Sequence, residues 1–206
     1  MSSFASVSDL EAFLQVEITT VAQVAAAERA LEEATAAIRN YCRQTLSLVE
    51  DDEVTLDVFG AGDRLFLPEL PVVAVSAVVE DGKTLAAGAD YALGQYGILY
   101  RLGGARWARG VQVVTVTYSH GYGPLPDDIV AVCVRAASRA YQAGLRAAES
   151  NAVMGVTSKQ LGDFSVSYTA ETGGGGIGEG VMGASAARML LLSEKDILNR
   201  YRLRGV

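Results

Sequence analysis

The sequence predicts an α+β protein: a small helical bundle with an inserted β region and a C-terminal arm made of a strand, a Gly-rich tether and a helix. Three observations predict it. Residues 20–43 and 126–147 carry apolar side chains at helical spacing. Residues 54–118 switch to short β-branched runs punctuated by Gly and Pro. Beyond Glu149 the chain turns small and polar, and residues 172–180 include six glycines, too many to hold regular structure unaided. Half of the 206 residues are hydrophobic and a fifth are charged, so a folded core is expected, although Ala supplies much of the apolar share. The length suits one compact domain with an appendage, or two small ones. The shifts in character divide the chain into N-terminal bundle helices (1–49), a β insertion (50–119), the central helix of the bundle (120–150) and the arm (151–206).

Taken in order, Ser8 and Glu11 fit a capping box for a short helix reaching about Gln15. Thr19 or Thr20 caps a second helix to about Arg43, with Val24, Leu31, Ala34, Ile38 and Tyr41 inward and Glu28, Arg29, Glu32, Glu33 and Arg39 outward. The acidic run Glu50-Asp51-Asp52-Glu53 reads as a solvated turn into the β region. It lacks the interleaved Gly and spaced terminal Glu of a calcium loop. Strands are predicted at 54–59, 64–67, 72–79, 91–93, 98–100 and 111–118, with Asp81-Gly82 turning a hairpin. Trp107, flanked by Arg106 and Arg109, is expected to fold its ring onto the sheet.

The central helix has the clearest start. Pro126 has a preset φ and no N–H to lose, and Asp127 and Asp128 place negative charge at the helix N-terminus. Ile129, Val132, Cys133, Ala136, Ala137, Ala140, Tyr141 and Leu145 then form one apolar face. In the arm, residues 161–168 alternate as a strand with Phe164, Val166 and Tyr168 on one face, and an exposed strand of that kind invites pairing with a neighbouring copy. A helix over 184–202 carries Leu190, Leu191, Ile197, Leu198 and Tyr201 on one side, with Ser193 to Asp196 as a possible second cap. An amphipathic helix on a tether needs something to dock onto.

The chemistry-bearing motifs are sparse. Residues 178–183 match GxGxxG, but no strand precedes them directly and no βαβ unit surrounds them. Two cysteines, 42 and 133, and one histidine exclude a zinc site, and the thiols read as buried and free. No cofactor or metal is expected. His120 lies in a turn between Tyr118 and Tyr122 and has no Ser or Cys nucleophile motif beside it. No basic segment precedes an apolar core and no apolar run approaches 18 residues, so a soluble, unexported chain without membrane contact is expected. The formal charge is −7, against free-standing nucleic-acid binding. Residues 1–60 carry a net −8 and residues 184–206 a net +3, which reads either as an acidic front and a basic tail that attract, within a copy or between copies, or as ordinary solvated helix faces.

The stretch VTVTYSHGYGPLPDDIVAVCVRAASRAY (114–141) resembles the head-to-tail connector (adaptor) proteins of long-tailed DNA bacteriophages. It has their strand, the Tyr118-x-His120-Gly121-Tyr122 turn, Pro126-x-Asp128-Ile129, and an Ala-rich helix. The opening helices and the stretch 72–101 are similar to the corresponding parts of that family, so the resemblance covers roughly residues 7–148. It implies a structural virion protein in the neck between capsid and tail, assembled in the host cytoplasm, and no enzyme. It implies a homo-oligomeric ring, usually of twelve copies, beneath the portal protein. The ring receives a stopper or tail-completion protein, and genome DNA passes through it without sequence-specific binding. Within this reading Phe164, Val166 and Tyr168 are the subunit-interface candidates. Leu190, Leu191, Ile197, Leu198 and Tyr201 are the portal-docking candidates, so deletion of residues 173–206 is expected to leave a folded chain that no longer attaches. Two other readings stand beside it: a small intracellular enzyme with a site near His120, Tyr118 and Tyr122, or a non-viral self-associating scaffold module.

Overall fold

A computed structural model describes residues 3–60, 62–152, 158–161, 164–167 and 189–203. The architecture is mixed α+β, with antiparallel sheets. The chain divides into two compact units, one of residues 1–35 with 132–194 and the other of residues 36–131 with 195–206.

The first unit is helical. Helix α1 (Val7–Leu14) is capped by Ser6 and not by Ser8. The Asp9 amide donates to Ser6 Oγ at 3.2 Å and the Ser6 amide donates to Asp9 Oδ2 at 2.8 Å. Asp at the third helical position thus does what Glu11 was expected to do, which moves the box two residues back. Glu11, released from that role, accepts from the Ile18 amide at 2.7 Å and holds the connection to the next helix. Helix α2 (Val21–Cys42) opens with a reciprocal box between Thr20 and Gln23. Its buried positions in this unit are Ala27, Ala30, Leu31, Ala34 and Thr35. Helix α3 (Asp127–Ala152) buries Val132, Cys133, Ala136, Ala137 and Tyr141. The Thr35 hydroxyl lies 3.6 Å from Cys133 Sγ and accepts from the Phe4 amide at 3.0 Å.

Where one strand over 161–168 was expected, two short strands pair antiparallel. Ser158–Leu161 (here β8) and Phe164–Ser167 (β9) meet with Leu161 opposite Phe164. Gly162-Asp163 stands between them in the sequence, a dipeptide whose composition favours a tight reversal. The helix predicted over 184–202 is described only from residue 189, as a short α4 (Leu192–Leu198). Its Glu194, at the third helical position, accepts from the Leu191 amide at 2.9 Å, a cap two residues earlier than expected. The Arg139 guanidinium grips the same carboxylate in bidentate fashion at 2.8 and 2.6 Å and donates to the Met189 carbonyl at 3.0 Å. The GxGxxG run, the glycine tether and Tyr168 lie outside the described residues.

The second unit is built on a four-stranded antiparallel sheet in the order β1 (Val49–Val58), β7 (Gly110–His120), β3 (Val72–Glu80), β4 (Lys83–Thr84). Its smaller companion runs β2 (Arg64–Phe66), β6 (Ile98–Arg101), β5 (Tyr91–Leu93). Strand β7 alternates cleanly, with Val114, Val116, Tyr118 and His120 buried. The first three pack with Val58, Leu65, Leu67, Val78, Leu99 and Trp107. The Trp107 ring is 2% exposed, and its Nε1–H donates to the Asp63 carbonyl at 3.2 Å. A buried ion pair joins Arg101 to Glu80 at 2.7 Å, and the Ala108 amide donates to the other Glu80 oxygen at 2.8 Å. Asp81 and Gly82, both at positive φ, turn the β3–β4 hairpin. The acidic run is no boundary turn. It forms the first half of β1, with the register slipping between Val49 and Asp52 and Asp51 at φ 48°.

The end of the chain belongs to this unit's core. Leu198 is fully buried, and the Leu203 amide donates to the Cys42 carbonyl at 3.0 Å. Deletion of residues 173–206 therefore removes core packing as well as any docking element, which corrects the expectation of an intact truncated fold.

Candidate functional site

The strand-to-helix turn after β7 is the part of the second unit that the sequence singled out, and its geometry is that of a joint. Gly121 sits at φ +91°, and a Cβ there would run into the Ser47 carbonyl. The Gly121 amide donates to the Pro71 carbonyl at 2.9 Å and the Tyr122 amide to the Leu46 carbonyl at 2.8 Å. The Leu48 amide returns a bond to the Tyr122 carbonyl at 3.0 Å. Only a residue without a side chain lets two backbones approach so closely.

His120 is 2% exposed. Its Nε2–H donates to Asp52 Oδ2 at 3.2 Å, its ring lies 5.1 Å from that of Tyr118, and its Nδ1 is buried without a partner among the described residues. An imidazole so enclosed is a strut between β7 and β1 and has no face to offer a substrate. Tyr118 continues the strut. Its hydroxyl accepts from the Glu69 amide at 3.3 Å, and burial pushes its pKa up to about 12. Burial also raises the Glu69 carboxyl above the usual range, offset in part by the Thr45 amide that donates to it at 2.8 Å and by His120.

A second joint ties the chain end to the start of α3. The Tyr201 hydroxyl donates to both Asp128 oxygens at 2.8 Å. Burial, then the adjacent Asp128 carboxylate, lifts its pKa to about 12 and keeps the donor proton in place. The Tyr201 ring meets Tyr122 edge-on at 5.7 Å, and the Gln44 side chain donates to the Tyr201 carbonyl while accepting from the Leu70 amide at 3.2 Å. The Asp128 predicted as a helix-dipole partner thus holds a tyrosine as well. Burial lifts the Cys42 thiol to about 11 and raises that of Cys133, and both remain free.

Beside these joints, still within the second unit, runs a groove of about 1050 Å³. Its walls include Phe59, Phe66 and Tyr96, which are 73%, 50% and 82% exposed, and its rim includes Arg43, Arg200 and Arg202. The groove was not anticipated. The alternation of β2 carried the signal: Leu65 and Leu67 point inward, so Phe66 must point out.

The predicted docking residues scatter. Leu190 is buried in the first unit and Leu198 in the second, Leu191, Ile197 and Tyr201 are half-buried, and Leu192, not nominated, is 72% exposed. Phe164 and Val166 lie on β9. Among the described residues no cluster of His, Cys, Asp and Glu suits a metal ion, and no helix is long and apolar enough to cross a membrane.

Comparison with known proteins gives the fold a context. A chain in the virion of the native gene transfer agent particle is 18% identical, covering 97% of this chain and 90% of that one, with a TM-score of 0.52. Two further structures are the neck of the empty gene transfer agent particle computed with C6 symmetry and the neck of the native particle computed with C12 symmetry. The first is 19% identical, covering 88% of this chain and 80% of that one, with a TM-score of 0.48. The second is 17% identical, covering 97% and 89%, with a TM-score of 0.47. At such identities the likeness is one of fold. No curated protein matches. The family model described as head completion protein matches residues 3–136, well over half of the chain, a span that includes the strand-to-helix turn and the first turns of α3. The chain belongs to the head completion protein family and is a structural protein of the virion.

Proposed function

We propose that this protein forms a ring of identical copies in the neck of a phage-type particle, beneath the portal, where it joins capsid to tail and continues the DNA channel. The observation that carries the reading is the family match over residues 3–136, a span that holds the β sheet, the strand-to-helix turn and the start of α3. The enclosed state of His120 agrees with it, because a strut suits a structural part. A net charge of −7 suits a conduit, since an acidic wall does not hold a phosphate backbone. On this reading the partners are the portal on one side and a stopper or tail-completion protein on the other. Twelve copies is the number to look for first. The segment 189–203 contributes to portal docking through what it leaves exposed, with Leu192 foremost, while Leu190 and Leu198 hold the segment in place. The β8–β9 hairpin, with Phe164 and Val166, is a second candidate contact between copies.

Native mass spectrometry of the purified chain, alone and mixed with portal rings, tests the proposal. A discrete ring, or a monomer that becomes a ring on the portal, is the expected outcome. A monomer that ignores portals at every concentration would refute it.

A further inference from the structure

We propose that the arginine-rimmed groove of the second unit receives the outer stripe of α2 from a neighbouring copy, and that these two unlike faces make the contact between subunits. The inference rests on the ring reading above and names the surfaces that would build it.

The groove has an apolar floor, where Leu65 and Leu67 are buried, and aromatic walls that stand in water. Three exposed rings around one hollow are a large apolar patch for a solitary chain, and patches of that kind mark interfaces. The rim is positive. Arg64 lies 3.9 Å from Asp63 and Arg202 sits over the Tyr41 ring at 5.4 Å, but Arg43 and Arg200 form no ion pair among the described residues. The one acid in the lining, Asp57, is engaged by the Gln112 amide at 2.7 Å. Such a hollow selects a narrow element with an apolar start and carboxylates beside it.

The chain carries one. Val21, Ala25, Glu28 and Glu32 recur at spacings of four, three and four along α2, so they lie in one stripe, and all four are exposed. Val21 is 88% exposed at the first helical position, unusual for a β-branched apolar residue. Glu28 and Glu32 make no ion pair among the described residues. A slim helix face of Val and Ala followed by two carboxylates matches a groove with aromatic walls and unpaired arginines, in the manner of helix-in-groove recognition. Because the two faces differ, each copy offers a groove to one neighbour and a helix to the other, and such head-to-tail contacts close into a ring when the rotation permits.

The test uses two full-length variants. One carries Arg43→Glu with Arg200→Glu, making both faces acidic. The other carries Glu28→Lys with Glu32→Lys, making both basic. Native mass spectrometry at low salt should show each alone needing roughly tenfold or more concentration to assemble than the original chain. Their equimolar mixture should recover rings in which the two variants alternate, with even copy numbers only. Circular dichroism on each variant separates lost assembly from lost folding. If the original chain forms rings and both variants do too, or if the mixture of folded variants fails to recover them, the pairing is overturned while the ring stands. If the groove variant keeps its rings but loses a portal or tail component, the groove's occupant is that protein and the pairing is again overturned. If the original chain stays monomeric at every salt and concentration, with portals or without, the ring reading fails first and this inference with it.

Discussion

Ala27, Ala30, Ala34, Ala136 and Ala137 are buried in the helical unit, while the β unit buries Leu65, Leu67, Val78, Leu99, Val116, Tyr118 and Trp107. The first set lets helices come close but removes little apolar surface per residue. The second removes several methylene equivalents per side chain, at about 0.8 kcal/mol each. The helical unit makes up the difference with polar clamps: the Ser6–Asp9 and Thr20–Gln23 boxes, Thr35 on the Phe4 amide, and Arg139 on Glu194. The β unit uses its polar groups to fix where the chain enters and leaves the sheet. One unit is closely packed and stapled, and the other is filled.

That contrast can be broken from either side. The largest effect is expected from Arg101→Ala, which strands Glu80, whose side chain is 9% exposed, in the β unit. Breaking a buried pair costs about 3–5 kcal/mol, and urea unfolding should show it as a lower midpoint at an unchanged slope. Next is a matched pair of size changes. Leu99→Ala opens a cavity in the filled unit and should cost about 2–5 kcal/mol. Ala34→Leu overpacks the close helices and should cost about 1–3 kcal/mol. If Ala34→Leu proves neutral while Leu99→Ala does not, the helical unit has slack and the comparison fails.

The smallest effect concerns pH. The Glu69 carboxyl titrates above its ordinary value, so between that value and the raised one the folded chain holds more protons than the unfolded chain. Stability contributed by this group is therefore greatest at low pH and declines as pH rises through that window. Glu69→Gln keeps an acceptor for the Thr45 amide and should flatten the slope, measured as thermal midpoint against pH. An unchanged slope would mean that another group sets it.

Much of the fold was legible because it is local. The period of β7, the Asp81-Gly82 hairpin and Pro126 with its two aspartates each carry their signal within a few residues. The start of α1 was misplaced by two residues because Ser6/Asp9 and Ser8/Glu11 are both plausible boxes, and only the bonds distinguish them. Pairings across long separations were not legible. Nothing in the order of residues joins Arg139 to Glu194, Tyr201 to Asp128 or His120 to Asp52, since each depends on how distant segments meet. The bulge in β1 hid the last of these, because it moves Asp52 out of the register a regular strand would predict. At the site, the turn was found, but β7 runs on to His120, which the sequence placed in that turn. The groove was missed because its aromatics come from three separate segments, and the side chains chosen for docking turned out largely to be holding their own chain together.

The position of β7 has a mechanical consequence. It is bonded along both edges, to β1 and to β3, and the covalent chain passes from its last residue through a clamped turn straight into the longest helix. A pull applied along the line of β7 itself does not peel the strand away one bond at a time. It loads two antiparallel ladders at once in shear, so many bonds resist together. The opposite edge of the sheet ends in a two-residue strand and would unzip under far less force. The same fold is thus stiff along one line and weak along another, and a part that carries tension along its stiff line can stay thin.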